Sequence, residues 1–178
     1  RGAGDIQAQP NIFTTRWVVD NNSPRAALAF SLTRQILPTL NVGIEFMPAS
    51  DRYAPIAHWR FLEAKGWQPA IAISTSTAWP SSKVSGNAHS LTVANSVGGG
   101  FSAYVAASYA PDSDLWYMPA GLNYRINEDW SSRMMWDGNN LHPIITYNSG
   151  DIRTSFILLD GKSPTLSLRL ISRPTTAQ

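Results

Sequence analysis

Leu40-Asn41-Val42-Gly43-Ile44-Glu45-Phe46 alternates large apolar side chains with small or polar ones and carries a carboxylate in mid-run. In an extended strand successive side chains point to opposite faces, so Leu40, Val42, Ile44 and Phe46 share one face and Asn41, Gly43 and Glu45 the other. A soluble sheet would bury the first face and cover the second with Lys and Glu. Here the second face is Asn, Gly and a single Glu.

The same period of two runs through the sequence. Leu28, Phe30 and Leu32 alternate with Ala27, Ala29 and Ser31; Trp67, Ile71 and Ile73 with Gln68, Ala72 and Ser74. Phe101, Ala103, Val105, Ala107 and Tyr109 alternate with Ser102, Tyr104, Ala106 and Ser108. Between these runs lie turn signals such as Asp20–Pro24, Gly98-Gly99-Gly100, Asp137–Asn140 and Asp160–Pro164, as in antiparallel strands joined by tight turns. The pattern predicts strands near 11–19, 25–34, 39–47, 53–63, 67–78, 89–97, 101–110, 115–126, 130–137, 141–148, 152–159 and 164–171. That makes about twelve, with ten as the lower count. There is no linker and no internal repeat, so residues 1–178 read as one domain, with a polar leading stretch over 1–10 and a polar tail over 172–178.

Composition narrows the classes. The 178 residues contain no Cys, which excludes disulfides and thiolate metal sites. Lys+Arg 14 against Asp+Glu 12 is too balanced to suggest nucleic acid. No run approaches the roughly 18 apolar residues of a membrane helix. Lys65, Lys83 and Lys162 all fall in turns.

The positions of the charges decide which face is inside. By parity, Arg16, Arg25, Glu45, His58, Arg60, Arg125, Arg133, Asp137, His142, Arg153 and Arg169 all lie opposite the large apolar residues. A transmembrane β-barrel needs that arrangement, with apolar side chains toward lipid and polar ones toward the bore. Aromatic residues bracket the runs: Trp67 and Trp79, Phe101 and Tyr109, Trp116 and Tyr124, Trp130 and Trp136. About eight residues on a strand tilted near 45° span about 19 Å along the barrel axis, so these pairs are expected to form two interfacial girdles. An even strand number puts both termini on one side, the periplasmic side of such a barrel. The only long connection, Pro80–Ala88, then lies on the other side. The expected fold is an all-β, closed, antiparallel up-and-down transmembrane barrel.

Leu40–Phe46, Ala120-Gly121-Leu122-Asn123-Tyr124-Arg125 and Trp136-Asp137-Gly138-Asn139-Asn140-Leu141-His142 resemble stretches of uncharacterised bacterial outer-membrane β-barrel, porin-like proteins. The resemblance covers most of the chain as a pattern. It implies an outer-membrane location, with the chain a mature form after signal-peptide removal, and no catalytic activity. One departure is the carboxyl end: many such barrels finish on an aromatic residue, whereas this sequence runs Ile171-Ser172-Arg173-Pro174-Thr175-Thr176-Ala177-Gln178.

No motif prescribes a reaction, a cofactor or a metal. Gly98-Gly99-Gly100 lacks the Lys-Ser/Thr and helix of a phosphate loop. The histidines sit in three different segments. A barrel hydrolase would have to draw on His142 with Asp137, or on His58 with a lumenal Ser. The first functional expectation is a structural or assembly component of an envelope complex, partnered by the bilayer and by other envelope proteins at the amino terminus or short loops. Its competitors are a narrow anion-preferring channel, suggested by seven inward arginines against Glu45 and Asp137, and a soluble barrel that binds an apolar ligand. The channel would conduct across a planar bilayer. The soluble barrel would have its large side chains turned inward.

Overall fold

The computed structural model describes residues 10–19, 27–79 and 84–172. Its strands are β1 (Asn11–Val18), β2 (Leu28–Leu37), β3 (Leu40–Met47), β4 (Arg52–Leu62), β5 (Ala70–Thr77), β6 (Asn87–Gly98), β7 (Phe101–Ala110), β8 (Leu115–Tyr117), β9 (Ala120–Arg125), β10 (Trp130–Trp136), β11 (Leu141–Ser149), β12 (Ile152–Leu159) and β13 (Ser163–Ser172). β8 and β9 both pair with β7 and form one stave interrupted at Met118-Pro119. The Pro119 carbonyl still accepts from the Ala106 amide at 2.8 Å across the break. The result is a closed, twelve-stave antiparallel barrel. Every stave pairs with its sequence neighbours, and β1 meets β13 from Asn11↔Ser172 to Val18↔Thr165.

The barrel has two distinguishable ends. Asn11, Ser172 and the turns at Gly98–Gly100, Asn127–Asp129 and Gly150 mark the terminus end. Val18, the turns after Met47 and Ala110, and the connection reaching Gly86 mark the loop end. All three glycines of Gly98-Gly99-Gly100 have positive φ, a turn that L side chains resist.

The register separates the two faces. Phe13, Trp17, Leu32, Ile44, Trp59, Ile73, Leu91, Val105, Leu122, Met134, Ile145, Phe156 and Leu168 are exposed on the outside. Directly paired rows such as Trp17↔Leu28 and Ile44↔Leu32 keep this surface continuous from stave to stave. The expectation of a barrel with its large residues turned inward is therefore overturned: Ile44 is 48 % and Val105 44 % exposed. Within the described strands, Arg34 and His89 are the outward Arg and His; both lie toward strand ends, Arg34 at the terminus end.

Inside, small residues make room for large ones. A Cβ on Gly121 would overlap the ring of Tyr104, which crosses the bore from β7. Tyr104 in turn packs on a buried cluster of Val18, Met135, Ile144, Ile157 and Leu159. Gly121→Val should therefore displace the ring and destabilise the barrel by about 1–3 kcal/mol, read as a lower denaturant midpoint by tryptophan fluorescence.

Three expectations need correction. The strand predicted over 67–78 begins only at Ala70 and ends at Thr77, leaving Trp67 in a turn, 98 % exposed. The one predicted over 115–126 is broken, because Pro119 has no N–H to give the ladder. Trp79 is not on the outer face at all. It lies two residues past the end of β5, where the Ala78 amide bonds to the Gly86 carbonyl, so strand parity no longer governs its direction. Arg25, the stretch 1–9 and the tail 173–178 lie outside the described residues.

Candidate functional site

The bore is packed at the loop end and hollow at the terminus end. Two hairpin turns build the packed part. Asp137 closes β10, and its Oδ1 accepts the amides of Asn139 and Asn140, both at 2.8 Å. Its Oδ2 lies 3.0 Å from Nε2 of His142, the second residue of β11. Nδ1 of His142 accepts the Asp160 amide at 2.9 Å, from the turn between β12 and β13. The ring proton therefore sits on Nε2 and points to Asp137. Asp137, His142 and Asp160 are spaced as a metal group could be. Their geometry is that of a clasp instead, since both ring nitrogens and Asp137 Oδ1 are engaged in protein hydrogen bonds. His142 is 0 % exposed.

Trp79 lies over this clasp, its ring 5.7 Å from the His142 ring, and the Arg16 guanidinium sits 5.4 Å from the indole centroid. Glu45, inward on β3, is close enough to Arg16 to attract it electrostatically. Val84, 1 % exposed, packs beside Ala78, Ala88 and Ala110. Trp79 lines both a cleft of about 300 Å³ at the loop end and the larger cavity at the terminus end.

That larger cavity measures about 820 Å³. Gly100, Asn127, Glu128 and Gly150, all in terminus-end turns, form its mouth, and Ile144, Ile157 and Trp79 its floor. Four arginines line it: Arg125 on β9, Arg133 on β10, Arg153 on β12 and Arg169 on β13. Arg153 and Arg169 are direct cross-strand partners. Arg133 Nε donates to Asn123 Oδ1, and Arg153 Nε donates to Asn148 Oδ1 at 2.6 Å. Among the described residues no carboxylate lies within ion-pair distance of any of the four.

The other predicted positions are scattered. Arg60 is inward but pairs with Glu63 at 3.0 Å, just beyond β4. His58 is inward between Asn41 and Ser74, away from His142. The outward aromatics gather toward the two ends. Phe101 and Tyr124 stack at 4.4 Å, and Trp130 and Tyr147 lie 4.9 Å apart, at the terminus end. Tyr109 and Trp116, 5.0 Å apart, lie at the loop end, with Trp136.

Sequence reading missed the roles of Trp79, Asn123 and Asn148, and the apolar floor. Ile144-Ile145 and Phe156-Ile157-Leu158-Leu159 carried the signal for that floor, since adjacent apolar residues must face both ways. Among known proteins, the chain matches no family model and no curated protein sequence.

Proposed function

We infer that the chain is a bacterial outer-membrane β-barrel, sealed rather than conducting, that serves as a structural component of the cell envelope. The observation that carries this reading is the continuous outward apolar surface, with Arg16, Glu45, Arg60, Arg125, Arg133, Arg153 and Arg169 all on the inner side of their strands. Exposing that surface to water would leave large apolar area uncovered on every stave, whereas lipid covers it without cost. Aromatic pairs near both ends suit the two interfaces of a bilayer. The partners are bilayer lipid and envelope proteins that meet the short turns.

A second reading, the anion-preferring pore, draws on the arginine-lined cavity. Against it stands the packing of Trp79, His142 and Leu159 across the loop end. Two measurements decide. Expressed in a bacterium behind a bacterial signal sequence, the chain should stay with outer membranes through alkaline carbonate washing and migrate faster on a gel when unheated than when boiled. Recovery as a detergent-free soluble monomer overturns the membrane reading. Reconstituted in a planar bilayer, it should pass no stepwise current, and anion-selective steps would establish the pore instead.

A further inference from the structure

Four guanidinium groups share one cavity, and among the described residues none of them forms an ion pair; the one carboxylate on the lining, Glu128, stands at the mouth. Directly opposed like charges destabilise a strand pair, yet Arg153 faces Arg169, and Arg169 also feels the positive charge of Arg133. Elsewhere in this molecule exposed arginines do find acids: Arg52 pairs with Asp112 and Arg60 with Glu63, both at 3.0 Å. The terminus-end cluster departs from that habit. It is also held in position. Asn123 and Asn148 take the Nε protons of Arg133 and Arg153, which fixes each guanidinium plane and leaves the terminal amino groups without a protein partner among the described residues.

We propose that this cavity is a binding site for an anion bearing several linked phosphate groups, entering from the terminus end. The guanidinium fork donates in pairs to phosphate oxygens. Neighbouring strands lie about 4.8 Å apart, and the four arginines are spread from β9 to β13. A chain of phosphates offers these spread donors more oxygens than one tetrahedral anion does. Ser131, Ser155 and Ser167, also on the wall, supply hydroxyl donors between the charges. The apolar floor beneath them makes the site blind-ended, so an anion is held and not passed on. This inference concerns the bore alone and stands whether or not the outer surface meets lipid.

The test uses the full chain in zwitterionic detergent micelles at low salt, titrated with inorganic tripolyphosphate by calorimetry. Tripolyphosphate should bind, raise the unfolding midpoint and bind much more tightly than orthophosphate. Arg169→Gln and Arg153→Gln should each weaken it about ten- to a hundredfold. Arg34→Gln removes the same charge from the outer side at the same end and should leave binding unchanged. In phosphate-free buffer Arg169→Gln should raise the unfolding midpoint, because it relieves the repulsion from Arg153; a misfolded variant would lower it. No binding at low salt overturns the proposal. So does equal weakening by Arg34→Gln, a tricarboxylate that binds as tightly as tripolyphosphate, or a lowered midpoint for phosphate-free Arg169→Gln.

Discussion

Ile44→Arg is expected to abolish insertion of the barrel into lipid vesicles, while Asn41→Arg, three residues away on the same strand, leaves it intact. Ile44 lies on the outer face of β3 between Leu32 and Pro55. An Arg on the lipid face near mid-bilayer costs roughly 2–4 kcal/mol and has no neighbouring carboxylate to soften it. Asn41 faces inward, opposite His58 and Gln35, where water and polar groups can solvate a cation. The two variants have the same net charge and the same new side chain, so only the face differs. The readout is the fraction of chain that acquires the fast-migrating, protease-resistant form after dilution from urea into vesicles. Equal insertion of both variants would remove the basis for placing the outer surface in lipid.

His142→Ala is expected to open the loop end. The substitution leaves the buried Asp137 carboxylate without its ring partner and the Asp160 amide without its acceptor. Breaking a buried pair from one side costs about 3–5 kcal/mol. Trp79 loses the ring it packs on as well. Hydrogen exchange gives the local readout. The amides of Asn139, Asn140 and Asp160, protected by Asp137 and His142 in the native chain, should exchange much faster in the variant. Amides in the β1–β13 ladder should change little. Asp137→Asn is expected to loosen the clasp as well: with its amide oxygen on the two turn amides, its NH2 would face the Nε2–H of His142, donor against donor. Unchanged protection at Asp160 in His142→Ala would show that the clasp does not hold this end together.

The barrel was legible because period two persists wherever a ladder does. Leu40–Phe46 shows why: Glu45 in mid-strand is tolerable only if its face is not the apolar one. Parity placed each arginine on a side but not at a height. Height depends on where each hairpin turns, and the bulges between Gln35 and Leu37 and between Arg60 and Leu62 each move the register by a residue. Hence the grouping of Arg125, Arg133, Arg153 and Arg169 at one end, with Arg16 near the other, is a property of the folded barrel that parity does not carry. Trp79 was misplaced for a related reason. Alternation is a property of strands, and the strand stops at Thr77. The His142–Asp137 pair was visible as raw material, but the Asp160 amide that completes it comes from a turn eighteen residues along the chain.

The seam between β1 and β13 has a consequence for biosynthesis. Each of the other ladders joins staves that follow one another, so hairpins can form as the chain is delivered. The seam must wait for Ser163–Ser172, about 145 residues after β1 has ended. Until then the edges of β1 and β12 both present unpaired amides and carbonyls, each costing several kcal/mol if it meets hydrocarbon instead of water. Assembly is thus cooperative in an unusual sense: the strand Ser163–Ser172 determines whether the sheet laid down before it can close. A ribosome that stalls before Ser163 releases an open sheet with two adhesive edges, a substrate for chaperones and proteases rather than a shorter version of the same molecule.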